Sequence, residues 1–224
     1  MSTTILITQN SYLRSIDVIL ASDIGITRAL AILHSGGVIA HATETCYGFA
    51  CDLSNPSAVA KLFDIKRRSY DQPVSALFPS MEEAQQYVEF SSKALDLAGK
   101  YFPGPLTLVL PRKKNAPGSI HVCPPLLTTH YQLPTTPIGI RISSHPLAEE
   151  LASRFGKPIA TTSANLHGHP NPYSPADIMS QFMDAEFVPD LVLDSGALPL
   201  APASTVVAVN GEKVTVLRQG ELVV

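Results

Sequence analysis

The 224-residue chain has no tryptophan, only three cysteines and only 16% charged residues. Each shortage excludes something. Cys46, Cys51 and Cys123 are odd in number and contain no C-x-x-C pair, which argues against a disulfide framework or a structural zinc site. They read as small packing residues, Cys46 and Cys51 on strands. No window approaches the roughly 18 apolar residues of a membrane span. The opening MSTTILITQN lacks a basic segment followed by a long apolar stretch, so it does not read as a secretory signal. No G-x-x-x-x-G-K-[ST], G-x-S-x-G or H-E-x-x-H occurs. His167 and His169 form a lone H-x-H, which reads as solvated loop histidines. The expectation is a soluble cytoplasmic protein without membrane association.

With 45% hydrophobic residues, a chain of this length fits one large or two small domains and can bury a sizeable core. Its net charge of −3 argues against a dedicated DNA-coating protein. Two basic triplets nevertheless stand out, Lys66-Arg67-Arg68 and Arg112-Lys113-Lys114. They suit either a solvated rim or a footprint for phosphate or RNA.

Periodicity places the elements. Asp23 is expected to cap a helix carrying Ile26, Ala29, Leu30 and Leu33, with Gly36-Gly37 ending it. VIAHA and YGFACDL read as strands, PSAVAKLFDIK as a helix opened by Pro56, and VSALF as a strand. Ser80 and Glu83 form a capping box before AQQYV, and Ser91 or Ser92 opens KALDLAGKYF. Pro103-Gly104-Pro105 breaks the chain before the strand LTLVL. Residues 115–137 are rich in Pro and Thr and show no period, so an irregular insertion is expected. Strand IGIRI, helix HPLAEELASRF and strand PIA follow; strand signals stop at Ala160, before TTSAN. Ser174-Pro175 opens a helix, and DLVLD, STVVAV and KVTVLR close the chain as strands, with Asn210-Gly211 signalling a hairpin. Neither repeat nor linker appears. One mixed α/β domain over residues 1–224 is expected.

Polar residues gather where these strands end. Thr43, Glu44, Thr45 and Tyr47 lie between two strands; Lys66 and Arg68 end a helix; Arg141 closes a strand; Thr161, Thr162, Ser163 and Asn165 close another; Ser204 and Thr205 open one. Ligands of open α/β sheets collect at such ends. Each piece alone has a dull explanation, as a β-former, a helix C-terminal cation or a surface ion pair. Together they offer cations for a polyphosphate, hydroxyls and an amide for a small polar substrate, and no nucleophile–base pair. That set points to catalysis by positioning and electrostatics.

ATETCYGFACD, KRR, PGPLTLVL, IGIRI, TTSAN and STVV, in this order, resemble the YrdC/TsaC family of threonylcarbamoyl-AMP synthases. The resemblance runs from about residue 23 to residue 220 and includes a K-x-R (Lys66, Arg68) and an S-x-N (Ser163, Asn165). It implies a twisted mixed sheet flanked by helices, with a concave, positively charged cleft. The implied reaction joins L-threonine, bicarbonate or CO2 and ATP into threonylcarbamoyl-AMP and pyrophosphate, for the threonylcarbamoyladenosine modification of tRNA. By resemblance, Lys66 and Arg68 would hold the ATP phosphates and act catalytically. Thr43, Arg141, Ser163 and Ser204 would contact threonine, Arg141 through its carboxylate. Asn165 and Arg218 would contact the nucleotide. Ser75 would be a further threonine contact, and Tyr70 and Tyr173 further nucleotide contacts. Mg2+ would arrive on the ATP phosphates, with no protein ligands. A tRNA and downstream threonylcarbamoyl-transferase proteins are the implied partners.

The chain departs from the family at Ala42, where Pro is usual, at QPV over 72–74, where NPL is frequent, and at Ala208, where Asp often follows S-T-V-V. None of these removes a matched contact residue. The short, single-domain form is expected, with the insertion or the N-terminal segment covering the site. The alternative is a non-catalytic paralogue that binds double-stranded RNA or tRNA. A carbamoyl-transfer domain like that of hydrogenase maturation proteins is a poorer match, since those chains are large and carry zinc-finger-like cysteines.

Overall fold

Alternation along the strands, apolar on one side and small or polar on the other, decides which face of the sheet meets helices and which stays open. The computed structural model describes residues 3–7, 14–124 and 136–224. In chain order these form β1 (Thr3–Ile7), β2 (Arg14–Leu20), α1 (Asp23–His34), β3 (Ile39–Ala42), β4 (Tyr47–Ala50), α2 (Pro56–Lys66), β5 (Ser75–Leu77), α3 (Met81–Tyr87), α4 (Ser92–Tyr101) and β6 (Leu106–Leu110). After them come β7 (Ile138–Arg141), α5 (Pro146–Phe155), β8 (Ile159–Ser163), α6 (Pro175–Phe182), β9 (Leu191–Asp194), β10 (Thr205–Asn210) and β11 (Lys213–Arg218). One mixed sheet joins the strands in the order β1-β2-β9-β3-β4-β8-β5-β7-β6-β10-β11.

Register assigns the faces. Leu108 pairs with Ile140, Ile140 with Ala76 and Ala76 with Ala160, so these four share one face, and all are fully buried. Helices cover that face: α4 lies against β6, and Phe182 of α6 meets Phe49 edge-on at 5.6 Å between ring centroids. On the other face, Val109 pairs with Gly139, Ser75 with Thr161 and Gly48 with Ser163. There α1 and α5 cover only the end formed by β3 and β9. The stretch across β6, β7, β5, β8 and β4 is left without a helix, and the candidate site occupies it.

Most helix starts follow from side-chain caps. Asn55, Ser80, Ser91 and Ser174 cap α2, α3, α4 and α6, and Pro follows the cap in α2 and α6. In α1 the cap is Ser22 rather than Asp23: Ser22 is extended and accepts from the Gly25 N–H, which leaves Asp23 as the first-turn carboxylate. His145 caps α5 through Nδ1, which accepts from the Leu147 N–H. The 210–213 hairpin forms, with Gly211 at φ +59° in the left-handed region.

Two expectations change. Strand β8 runs on through Ser163 instead of stopping at Ala160, because β-branched Thr161 and Thr162 find partners in β5 and β4. Strands β1 and β2 were not expected, and they pair with each other at one edge of the sheet. Within the expected insertion, residues 115–124 carry turns and no regular element, and residues 125–135 lie outside the described residues.

His41 of β3 is fully buried beneath α5, with Nδ1 on the Ala42 carbonyl at 3.0 Å and Nε2 without a partner. Burial, opposed by that hydrogen bond, holds its pKa down to about 4 from 6.5. Between those values the unfolded chain binds a proton that the folded chain does not, so stability rises with pH across this window and is lost on acidification. His145, also lowered by burial, acts in the same direction. His41→Leu is expected to flatten the fall of the urea-unfolding midpoint between pH 6.5 and 4, measured against the parent protein.

Candidate functional site

The open stretch of sheet encloses a cavity of about 340 Å³. Its lining includes Thr43, Arg68, Ser75, Arg141, Ser163, Ser204 and Arg218, all named by the sequence. They come from the turn before β4, from β5, β7, β8 and β11, and from the loops that follow α2 and precede β10. The site thus combines the strand ends that the sequence suggested with the open sheet face between them. Two glycines keep its floor clear. A Cβ at Gly139 would lie 2.7 Å from Ser75 Oγ, and one at Gly48 would lie 3.2 Å from the Thr162 carbonyl oxygen.

The 43–46 turn is closed by its own first hydroxyl. Thr43 Oγ1 donates to the Cys46 carbonyl at 2.7 Å and accepts from the Thr45 and Cys46 N–H groups. Arg141, only 7% exposed, projects from the end of β7. Its Nη2 donates to Glu44 Oε1 at 2.7 Å and to Thr45 Oγ1 at 3.2 Å, while its buried Nε has no partner. Across the cavity, Arg218 grips Ser204 with three bonds, two to the carbonyl and one to the hydroxyl, and Ser204 also meets Thr107 Oγ1 at 3.0 Å. Arg68 donates to the carbonyls of Gln72 and Pro73.

Lys66 departs from the expected placement. It reaches the end of β8 from the helix-covered face, beneath the cavity floor, and is absent from the lining. Its ammonium donates to the Ser163 carbonyl, to the Asn165 carbonyl at 2.9 Å and to Asn165 Oδ1 at 3.2 Å. Asn165 also accepts from Ser163 Oγ at 2.6 Å and donates to the His169 carbonyl, so its amide is committed to the turn. K-x-R and S-x-N therefore touch each other, Lys66 with Asn165. Tyr70 and Tyr173 lie outside the lining: their hydroxyls donate to Asp64 Oδ1 at 2.8 Å and to the Ala201 carbonyl at 2.7 Å.

Several lining residues carried no sequence assignment. Thr107 and Gly139 belong to the open face by register with residues already assigned. The i, i+2 alternation of LTLVL and IGIRI carries that signal. Cys46, read as a packing residue, lines the cavity, whereas Cys51 is fully buried as expected. Burial raises the Cys46 thiol above its usual value despite the nearby Arg141, so it stays protonated.

Among the described residues, three guanidinium groups and no carboxylate line the cavity. Glu44, behind it, is occupied by Arg141 and Ser143. No cluster of three or more His, Cys, Asp or Glu side chains exists among the described residues. These donors do not fit a protein-held Mg2+ ion, which prefers oxygen ligands with negative charge.

A family model of Sua5, YciO and YrdC proteins, which carries the description "Telomere recombination", matches residues 31–220. The chain belongs to the Sua5/YciO/YrdC family. It is 36% identical over 157 residues to a threonylcarbamoyl-AMP synthase of Photobacterium profundum, covering 69% of this chain and 79% of that one. Against a synthase of the same name from Enterobacter sp. it is 30% identical over 198 residues, covering 87% and 95%. Among solved structures, P. abyssi Sua5 complexed with L-threonine superposes with a TM-score of 0.74 at 29% identity, covering 87% of this chain and 54% of that one. E. coli YciO superposes with a TM-score of 0.72 at 25% identity, covering 87% and 88%. The chain thus spans about half the length of that Sua5 chain.

In this Sua5/YciO/YrdC chain, burial, and next the charge of Arg68, hold Lys66 down to about 7 from 10.5. Between these values the unfolded state binds the extra proton, so this lysine makes stability rise with pH across the window. Lys66→Met is expected to show a flatter rise of the urea-unfolding midpoint between pH 7 and pH 9 than the parent protein.

Proposed function

We propose that the protein is an L-threonylcarbamoyladenylate synthase, which condenses L-threonine, bicarbonate or CO2 and ATP to threonylcarbamoyl-AMP and pyrophosphate. The observation that carries this reading is the buried Arg141 guanidinium, with its unpartnered Nε, in the wall of a cavity whose other walls are hydroxyls and two further arginines. A guanidinium can grip a carboxylate with two parallel bonds, which Lys cannot reproduce. The names of the relatives and the threonine held by the Sua5 structure support the same reading.

The chemistry suits a site without a nucleophile. The neutral threonine amine attacks carbon dioxide, forms the N–C bond and gives up an N–H proton to solvent, leaving a carbamate. A carbamate oxygen then attacks the α-phosphorus, and the bond to the pyrophosphate oxygen breaks. The protein's task is to hold two anionic reactants together, and positioning of this kind can lower a barrier by about 7–11 kcal/mol. Arg141 would anchor the amino acid, with Ser75 and Ser163 as the hydroxyls of its wall and Thr43, whose own hydroxyl closes the 43–46 turn, beside them through its methyl group. Arg68 and Arg218 would face the phosphates. Lys66 would act through the β8 end that it fixes, adding charge from beneath the floor. A Mg2+ ion accompanying ATP would neutralise part of the phosphate charge. A non-catalytic RNA-binding paralogue has no use for such an arginine, and no observation favours it. In this scheme tRNA and a threonylcarbamoyl-transferring protein act after the product leaves.

Pyrophosphate release on mixing ATP, bicarbonate and the protein is expected to require L-threonine; release that ignores threonine would overturn the synthase reading. Arg141→Ala removes a bond to a charged group and is expected to raise the threonine KM roughly 10- to 100-fold. Gly139→Val places branched carbon against Ser75 in the cavity floor. Ser75 must shift to make room, so the change is expected to weaken threonine binding in calorimetric titrations and to lower the thermal unfolding midpoint modestly.

A further inference from the structure

Glu44 touches nothing in the cavity, yet the sequence sets it between two threonines that do. Its side chain is 15% exposed, and both oxygens are occupied. Oε1 accepts from Arg141 Nη2 at 2.7 Å, and Oε2 accepts from Ser143 Oγ. Ser143 Oγ in turn accepts from the His145 N–H at 3.2 Å, at the start of α5. The 43–46 turn and the 141–145 segment are therefore tied together through one carboxylate. Thr45 Oγ1, fixed by Thr43 at 3.0 Å, adds a second acceptor for the same Arg141 nitrogen.

We propose that Glu44 is a positioning residue that, with Ser143 behind it, fixes the plane of the Arg141 guanidinium, which lines the cavity, for an α-carboxylate bound there. The proposal rests on the synthase reading for the identity of that carboxylate. A guanidinium is rigid and planar, so holding one terminal nitrogen at two acceptors orients the rest. An arginine already ordered loses less freedom when its ligand arrives.

Two effects of Glu44 oppose each other. Its negative charge weakens the pull of Arg141 on an anion, while its hydrogen bond aims the donor. Among the described residues, Arg68 and Arg218 also line the cavity and no carboxylate does, so attraction of an anion does not rest on Arg141 alone. The orientation of the Arg141 guanidinium does rest on Glu44, because among the described residues Glu44 is the one carboxylate paired with it. Aim therefore prevails over charge, and loss of Glu44 weakens binding.

The test uses the full chain with Glu44→Ala, Glu44→Gln and Ser143→Ala, titrated calorimetrically with L-threonine and separately with ATP. Alongside, the Arg141 Nε–H signal is followed by 15N NMR and assigned by its disappearance in Arg141→Lys. Glu44→Ala is expected to weaken threonine binding about tenfold, leave ATP affinity unchanged and broaden the Arg141 Nε–H signal. Glu44→Gln keeps an acceptor oxygen and is expected to restore most of both, with Ser143→Ala lying between. Tighter threonine binding in Glu44→Ala would show that charge governs, and would overturn the proposal. Equal weakening of threonine and ATP, with a matching fall in the melting midpoint, would mark Glu44 as merely structural and overturn it too. If the parent protein binds no threonine, the synthase reading fails instead. The Nε–H signal then decides alone: a sharp signal retained in Glu44→Ala sinks the positioning role, and its loss supports it.

Discussion

The register of β8 between β4 and β5 is the constraint on which the cavity depends. Ser163 stands opposite Gly48, and Thr161 opposite Ser75. Because side chains alternate, a slip of one residue would send both hydroxyls to the helix-packed face and bring Ala160 and Thr162 round in their place. This strand also joins the two halves of the sheet, pairing antiparallel with both neighbours. Gly48 makes the pairing compatible with a cavity, since a side chain there would press on the Thr162 carbonyl and on Thr43. Fold and site are therefore specified by the same few pairings.

Cations in the site are held mostly by neutral acceptors. Arg68 rests on the carbonyls of Gln72 and Pro73, Arg218 on that of Ser204, and Lys66 on those of Ser163 and Asn165. Carbonyl dipoles fix the position of a cation and partly replace its lost water, but they do not cancel its charge. A set of carboxylate partners would give equal order and a cavity of little net field. Arg141 is the exception, paired with Glu44, and it is also the most deeply buried of the three arginines facing the cavity. Near-complete burial is where a guanidinium most needs a counter-charge, because an uncompensated ion is most costly there.

The sequence announced the components more clearly than their arrangement. Helix α2 is legible to the residue, since Asn55-Pro56 supplies cap and first turn and the apolar spacing continues to Lys66. The hydroxyls of TTSAN and the cations of K-x-R were legible as chemistry. Their geometry was not, because it depends on pairing between strands far apart in the chain: Gly48 meets Ser163, and Lys66 reaches Asn165. Helical periodicity shows that Lys66 ends a buried stripe, but not that its ammonium emerges under a strand end on the far side of the sheet. Thr107 and Gly139 escaped notice for the opposite reason, as they look like ordinary strand residues until register sets them beside Ser75 and Arg141. Glu44 was visible within ATETCYG and passed over because it has no ligand to touch. Residues that act through a neighbour leave little mark in a sequence read for contact chemistry.

Repulsion among the cations follows from this arrangement. Burial comes first for each, and a like charge second: Arg68 lowers Lys66, Arg218 lowers Arg68, and Arg141 lowers Arg218. The chain of influence runs from beneath β8 round to the end of β7, through every positive group of the site. A polyanion entering the cavity would interact favourably with each member and oppose each shift, though burial would remain. For the arginines this changes no protonation near neutrality, but Lys66, held at about 7, stands where it does. Above that pH an anion that stabilises the ammonium form draws a proton onto Lys66, and by linkage the proton in turn favours the anion. The charge beneath the cavity floor is then largest when an anion occupies the cavity and smallest when it does not, so the empty site carries less of the repulsion that four permanent cations would impose.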